Sequence, residues 1–200
     1  RHQEVEGSGE VGTTFDSQGR AIRLQARHAP WGGAGGLEGV VGLQAESMSF
    51  SALGEEAFVP GTRTRSQALF TLQELALGAA TLQAGVRLER VRVASDGDAA
   101  DATEPRFGPA RARDFSPRSL SLGVRSAARQ GWQASASVGR TERAPAYYEL
   151  FANGLHIATA AYEQGDPRLG LERSHHADLG LQWRGQDQWL KLNLFAMQFS

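Results

Sequence analysis

The sequence contains no cysteine, so neither disulfides nor thiolate metal clusters can stabilise this protein. It also lacks any run of about 18 apolar residues, which excludes a membrane-spanning helix. Charge is balanced, with 21 Lys and Arg against 22 Asp and Glu, so no basic field is available to attract nucleic acid. A membrane β-barrel remains possible, because its strands are apolar only at every second position and look average by composition.

Apolar and polar residues alternate with a period of two along most of the chain, which predicts β-strands. The clearest case covers residues 80–89, where Leu82, Val86 and Leu88 share one face and Gln83 and Arg87 the other. The same pattern predicts strands near 2–6, 18–28, 36–50, 117–125, 132–139 and 176–184, and less cleanly at 65–76 and 187–200. At 65–76 the fit is poorer because Glu74 falls in phase with Phe70 and Leu72.

The predicted connections alternate between long and short. The long ones cover 7–17, 51–64, 96–116 and 143–173, and the short ones cover 29–35, 77–79, 129–130 and 185–186. This alternation is typical of an up-and-down barrel with elaborated loops on one side of a membrane and tight turns on the other. The charges in phase with the apolar face, Arg20 and Arg90, fall near strand ends, where a charge costs least in lipid.

The sequence therefore predicts an all-β fold: a fragment of an antiparallel up-and-down transmembrane β-barrel with about nine strands. Bacterial barrels are closed and have even strand numbers, and the chain starts at Arg1 without an initiator Met or signal peptide. We expect residues 1–200 to be one part of a barrel domain whose remaining strands lie outside this sequence. A soluble β-sandwich that binds a ligand is an alternative, because alternation alone suits both folds.

Two stretches late in the chain carry a family resemblance. One is Arg143-Ala-Pro-Ala-Tyr-Tyr-Glu-Leu-Phe-Ala-Asn-Gly, and the other is Tyr162-Glu-Gln-Gly-Asp-Pro-Arg-Leu-Gly-Leu-Glu-Arg-Ser followed by Asp178-Leu-Gly-Leu. They resemble the "RAP…EL" and "GDP/GNP-x-L-x-x-E" segments of TonB-dependent outer-membrane receptors. The segment Phe50-Ser-Ala-Leu-Gly-Glu-Glu-Ala-Phe-Val-Pro, with residues 7–15 and His156, is similar to the zinc-uptake branch of that family.

The resemblance implies a barrel of about 22 strands in the outer membrane of a Gram-negative cell. It implies import of a scarce ligand with energy delivered by the periplasmic TonB coupling protein, through an N-terminal plug and coupling box that this sequence lacks. The expected partners are outer-membrane lipid, TonB, and a metal ion or metal chelate. No cofactor is required, and zinc is a possible transported ligand.

Loop aromatics form one candidate ligand-binding set. Tyr147, Tyr148 and Phe151 combine large apolar bodies with two polar tips, which suits a binding vestibule or a membrane rim. The alternative interpretation is that they only pack the loop against the barrel.

Histidine and carboxylate side chains are the zinc ligands left to a protein without cysteine. His156 lies in the longest predicted loop and Glu56 in another loop on the same predicted side, so we expect them to converge above the lumen. His2 and Glu4 share one strand face and would point into the lumen. All four are candidate metal ligands, and the alternative is that they are solvated rim residues.

Other motifs carry less chemistry. Asp96, Asp98, Asp101 and Glu104 form an acidic cluster without the spacing of a calcium loop, so a solvated loop is the simpler interpretation. The letters G-x-G-x-x-G at 7–12 lack the preceding strand and following helix of a nucleotide site.

No spacing assembles an acid, a base and a nucleophile, so we predict a receptor rather than an enzyme. A siderophore receptor and a structural or adhesive outer-membrane barrel remain alternative functions.

Overall fold

Antiparallel β-strands make up most of this computed structural model, which describes residues 2–5, 11–32, 36–54, 57–156 and 161–200. The helix α1 covers Tyr147–Phe151. The strands are β1 (His2–Val5), β2 (Val11–Trp31), β3 (Leu37–Gly54), β4 (Thr62–Leu77), β5 (Ala80–Ser95), β6 (Arg111–Phe115), β7 (Arg118–Ser126), β8 (Trp132–Arg143), β9 (Asn153–His156), β10 (Ala161–Gln164), β11 (Glu172–Arg184) and β12 (Trp189–Phe199).

Ten of these strands form one sheet in the order β1-β2-β3-β4-β5-β7-β8-β11-β12, with β6 pairing the end of β5 beyond β7. Neighbouring strands pair antiparallel, and β9 and β10 form a separate hairpin. A sandwich needs a second large sheet packed against the first, and the described residues contain none. The predicted up-and-down barrel fragment is confirmed, as an open arc with β1 and β12 at its edges.

Strand register carries the sequence alternation across the sheet. Leu24 pairs with Leu43, Leu43 with Leu69 and Leu69 with Leu88, so one row of leucines crosses four strands. We call the face that contains this row the apolar face, and the opposite one the polar face. The four leucines are about half exposed, from 47% to 63%, which is the arrangement expected where lipid replaces water.

Register also explains the irregular pattern of β4. Phe70, Leu72 and Glu74 lie together on the polar face, while Leu69 lies on the apolar face. The Arg23 guanidinium sits 4.3 Å from the centre of the Phe70 ring, and Glu74 accepts a hydrogen bond of 2.8 Å from Gln83. The polar face therefore accommodates the Phe70 ring, which the Arg23 guanidinium covers.

The strands extend beyond the predicted bounds at the end of the sheet where the long loops lie. β2 begins at Val11 rather than near 18, and β3 continues to Gly54. The predicted loops 7–17 and 51–64 were therefore too long. Alternation is required only where one face meets lipid, whereas backbone pairing can continue past that band, so the sequence signal ends before the strand does.

A small core lies on the polar face at the long-loop end. Val93, Phe115, Leu150 and Phe151 form it, with Leu171 packed against its edge. Val93 and Phe115 come from β5 and β6, and the others come from the segment between β8 and β11.

Among the described residues, none forms an apolar helix of the length that a membrane span requires.

Candidate functional site

The segment between β8 and β11 folds back over the polar face. Leu150 of α1 is fully buried, and Ala152 and Gly165 join the two halves of the segment through a backbone hydrogen bond of 2.8 Å. The Asp166 N–H donates to the Glu149 carbonyl at 2.9 Å. The described part of the longest predicted loop therefore contains α1 and the paired strands β9 and β10, features that the sequence did not predict.

Arg143 holds both ends of this segment. Its guanidinium donates to the two carboxylate oxygens of Glu149 at 2.8 and 3.0 Å, and to Glu172 at 2.7 Å. The Glu149 carboxylate also accepts the Ala146 N–H at 2.6 Å, which satisfies one free donor at the start of α1. The hydrogen bonds that Arg143 donates are the main reason why the pKa of Glu149 lies below its usual range.

Aromatic rings continue from α1 onto the polar face. Tyr147 stacks on Phe50 with ring centres 5.0 Å apart, and Phe50 lies 6.2 Å from Phe15. Tyr148 meets Tyr147 edge to face and is 47% exposed. Burial raises the pKa of Tyr147. We call Phe15, Phe50, Tyr147 and Tyr148 the aromatic cluster.

Phe151 differs from the two tyrosines. It is 7% exposed and belongs to the core with Leu150 and Val93. Its position favours the packing interpretation for this ring, so the exposed candidate surface is formed by Tyr148 and the edge of Tyr147. A ligand-binding role for these side chains stays a prediction.

His156 lies at the end of β9 and makes two specific contacts. Its Nδ1 atom is 2.6 Å from Glu163 Oε1, and its ring stacks on Phe58 at 4.4 Å between centres. The Phe58 carbonyl also accepts the Asn153 N–H at 2.8 Å. The segment after β3 and the hairpin from the long loop therefore converge, which is the meeting of loops that the metal hypothesis requires.

The other candidate ligands are less completely described. Glu56 lies outside the described residues, two positions before Phe58. Backbone pairing places His2 opposite Phe15 and Glu4 opposite Thr13, and their side chains are outside the described part. Within the described ranges, no three His, Asp or Glu side chains are close enough to hold a metal ion. The four predicted ligands remain a hypothesis.

The acidic cluster of the 96–110 loop has a structural role at Asp98. Its carboxylate accepts backbone N–H groups from Arg106, Phe107 and Gly108 at 2.7 to 3.1 Å. The Phe107 N–H is the main cause that keeps the pKa of Asp98 below its usual range. This carboxylate therefore closes the loop through three backbone N–H groups.

Phe58 and Glu163 were not predicted as partners of His156, and Phe50 was not predicted as the partner of Tyr147. Glu163 and His156 are diagonal neighbours across the hairpin, since Ala161 is the residue directly opposite His156. Recognition of the β9–β10 hairpin in the sequence would have predicted the contact between His156 and Glu163. Nothing local in the sequence indicates the Phe50 contact, which joins residues far apart in the chain.

Two solved structures resemble this chain in fold. The Serratia marcescens hemophore receptor HasR, solved as a double mutant with its hemophore HasA and heme, is 20% identical with a TM-score of 0.70. The copper transporter OprC is 18% identical with a TM-score of 0.72. The match covers 94% of this chain and 33% of HasR, and 92% of this chain and 30% of OprC.

A family described as "TonB dependent receptor-like, beta-barrel" matches residues 5–200. The matched family is one of receptors, as the sequence predicted for this chain. The match spans nearly the whole sequence and agrees with the open antiparallel arc and its apolar face. The chain belongs to the family of TonB-dependent receptor β-barrels.

Proposed function

We propose that this chain is part of an outer-membrane receptor that imports a metal ion or metal chelate, with zinc as the favoured metal. Family membership supports a place in the outer membrane and coupling to TonB through segments outside this sequence. HasR was solved with heme and OprC is a copper transporter, so both relatives in fold handle metal-bearing ligands. These likenesses support a metal-bearing ligand. The choice of zinc as the metal is argued from the residues of this chain.

The observation that carries the proposal is the contact between His156 and Glu163 beside Phe58. Metal-binding histidines commonly bond their second ring nitrogen to a carboxylate, which fixes the tautomer and orients the ring. Glu163 supports Nδ1 in this way, and Nε2 is the nitrogen that would bind zinc. Glu56, two residues before Phe58, would supply the carboxylate oxygen.

Such a site suits transient capture. A histidine and one or two carboxylates form an incomplete tetrahedral set, so a zinc ion would keep water in its remaining positions. Incomplete coordination lets the ion leave for the lumen once the plug opens. His2 and Glu4 near the edge of the sheet are proposed as further ligands on that route.

Uptake of radioactive zinc by cells that express the full-length receptor tests this site. The E56A/H156A double variant should reduce uptake severalfold, and Glu163→Gln should reduce it less because the amide can still orient the ring. The matched control is His175→Ala, which removes a histidine in phase with the apolar face of β11. Unchanged uptake in the double variant would contradict the zinc site.

The aromatic cluster favours a metal chelate as a second candidate ligand. Tyr148 is exposed beside Tyr147 and offers a flat apolar surface with a hydroxyl, which suits a planar or aromatic chelate better than a bare ion. Tyr148→Ala should then lower uptake of heme or a ferric siderophore and leave zinc uptake unchanged. The opposite pattern would favour the ion site and reject the chelate.

A further inference from the structure

Asn153, the first residue of β9, binds three separate parts of the chain. Its backbone N–H donates to the Phe58 carbonyl at 2.8 Å, in the segment after β3. Its side-chain amide donates to the Arg106 carbonyl of the 96–110 loop. Its amide oxygen accepts the Tyr162 hydroxyl of β10 at 2.9 Å. One half-buried asparagine therefore joins two loops to the β9–β10 hairpin.

Strand pairing separates this side chain from the candidate metal ligand. Asn153 and Tyr162 share one face of the hairpin, whereas His156 and Glu163 share the opposite face. The contact between His156 and Glu163 described above thus lies on the far side of the strand from the Asn153 amide. Asn153 is therefore placed to act on His156 through the position of β9 and not as a metal ligand.

The hairpin packs closely against Phe58 on the His156 face. Gly154 is buried, and a Cβ atom at its position would lie 2.9 Å from the Phe58 Cα atom. The His156 ring stacks on the Phe58 ring at 4.4 Å between centres. A shift of β9 away from Phe58 would therefore open the backbone contact and the ring stack together. The hydrogen bond from the Asn153 N–H opposes such a shift.

On its other face the hairpin is bound to a peptide group that is itself fixed. The Arg106 carbonyl and the Phe107 N–H belong to one planar peptide unit, and in a trans peptide they point in opposite directions. The Phe107 N–H donates to Asp98 at 2.9 Å, while the carbonyl accepts the Asn153 amide. Asp98 therefore orients the acceptor that Asn153 uses, and the 96–110 loop is connected to β9 through this peptide group.

We propose that Asn153 is a positioning residue of the metal-capture site. It holds β9 between the 96–110 loop and Phe58, so that the His156 ring stays on Phe58 with Nε2 available to a metal ion. A primary amide suits this task because it donates to one loop and accepts from Tyr162 at the same time. The inference rests on the proposed function, since Asn153 has this role only if His156 binds the metal.

Thermodynamic linkage makes the role measurable. If the 96–110 loop helps to hold His156 in place, then zinc bound at His156 must stabilise the 96–110 loop by the same free energy. None of the proposed metal ligands belongs to that loop, so zinc would act on it through Asn153. A residue that served only to fold the loop would protect its amides equally with and without zinc.

The test uses the full-length receptor in detergent, with zinc chloride as the probe. Competition with a chromophoric chelator measures zinc affinity, and hydrogen–deuterium exchange measures protection. In the native receptor, zinc should slow exchange over 96–110. Asn153→Ala should weaken zinc binding about tenfold and abolish the zinc-dependent part of that protection.

Two milder variants separate the hydrogen bonds of the amide. Asn153→Asp should also lose the zinc-dependent protection, because a carboxylate still accepts the Tyr162 hydroxyl but cannot donate to the Arg106 carbonyl. Tyr162→Phe removes one hydrogen bond and should weaken zinc binding by less than Asn153→Ala does. Heat-dependent gel mobility establishes that each variant forms a barrel, and Tyr162→Phe carries the test if Asn153→Ala does not.

The matched control is Asn193→Ala, which removes the amide of the other asparagine in the sequence, on β12, and should change neither readout. Native zinc affinity in Asn153→Ala would overturn the proposal. So would zinc-dependent protection of 96–110 that is absent from the native receptor or retained in Asn153→Ala. A native receptor that binds no zinc, or an E56A/H156A variant that binds it normally, would reject the proposed metal site and this inference with it. Loss of zinc binding in E56A/H156A together with native affinity in Asn153→Ala would reject this inference alone.

Discussion

Arg143 and Glu149 form a two-pronged ion pair, with N–O distances of 2.8 and 3.0 Å, that joins the end of β8 to the first turn of α1. Arg143 also reaches Glu172 at the start of β11. The two segments that carry the family resemblance therefore meet at one guanidinium. Their shared role in this structure is to hold the long segment against the polar face.

Replacing Glu149 with Gln should loosen this segment without unfolding the barrel. The variant loses the ion pair and weakens the bond to the Ala146 N–H. Since both charged groups are partly exposed, we expect a local cost of about 1 kcal/mol. Hydrogen–deuterium exchange should show reduced protection over 146–171 only. Glu104→Gln, at an exposed loop carboxylate, is the control, and equal protection in the two variants would contradict the structural role of the pair.

Acid should weaken the same contact. The pKa of Glu149 is lowered in the folded state, so its stabilising contribution is complete above the ordinary carboxyl pKa and is lost as pH falls through the lower folded value. Protection factors over 146–171 should decrease below about pH 4 in the native chain. In the Glu149→Gln variant that part of the decrease should be absent. A decrease of the same size in both proteins would assign the effect to other groups.

Gly165 should tolerate no side chain. A Cβ atom there would lie 2.7 Å from the Leu150 carbonyl carbon and 2.8 Å from the Glu149 oxygen, both of them backbone atoms. Gly165→Ala should therefore destabilise the segment by about 1–3 kcal/mol, measured as lost exchange protection around α1. Gly170→Ala is the matched control, because no atom lies within 4 Å of a Cβ at that position. Full protection in the Gly165 variant would show that the segment can shift to make room.

The two faces of the sheet should respond differently to charge. Leu179 of β11 lies on the apolar face, paired with Leu194 and Ala136, and Gln182 lies on the polar face of the same strand. Leu179→Lys should cost about 2–4 kcal/mol of folding free energy in lipid, and Gln182→Lys should cost little. Urea titration of the full-length barrel in phosphatidylcholine vesicles measures both. Equal midpoints would mean that the apolar face does not meet hydrocarbon.

Local sequence pattern was enough to predict the main strands of the sheet, although it placed β6 inside the predicted loop 96–116. Alternation located the strands because a period of two is a property of neighbouring residues, as Leu82, Val86 and Leu88 show. It also placed Arg20 and Arg90 on the apolar face, which the register confirms. The prediction that Arg20 lies near a strand end was wrong, because β2 begins at Val11 and Arg20 lies in its middle. Alternation misplaced the start of β2 and the end of β3 because no apolar face is required beyond the lipid band.

The candidate site could be predicted only in part. Convergence of the loops that carry His156 and Glu56 was expected from their positions on one side of the barrel, and the Phe58 contact agrees with it. The stacking of Tyr147 on Phe50 and the burial of Phe151 were not predictable, because they depend on how the long segment folds back.

The sequence by itself determined the strand faces, the tight turns and the absence of any thiolate site, since each follows from residue type and short-range order. Only the tertiary structure decided that Arg143 joins Glu149 to Glu172 and that His156 meets Glu163 beside Phe58. The physical reason is that strand register and loop packing bring together side chains whose separation along the chain carries no periodic signal.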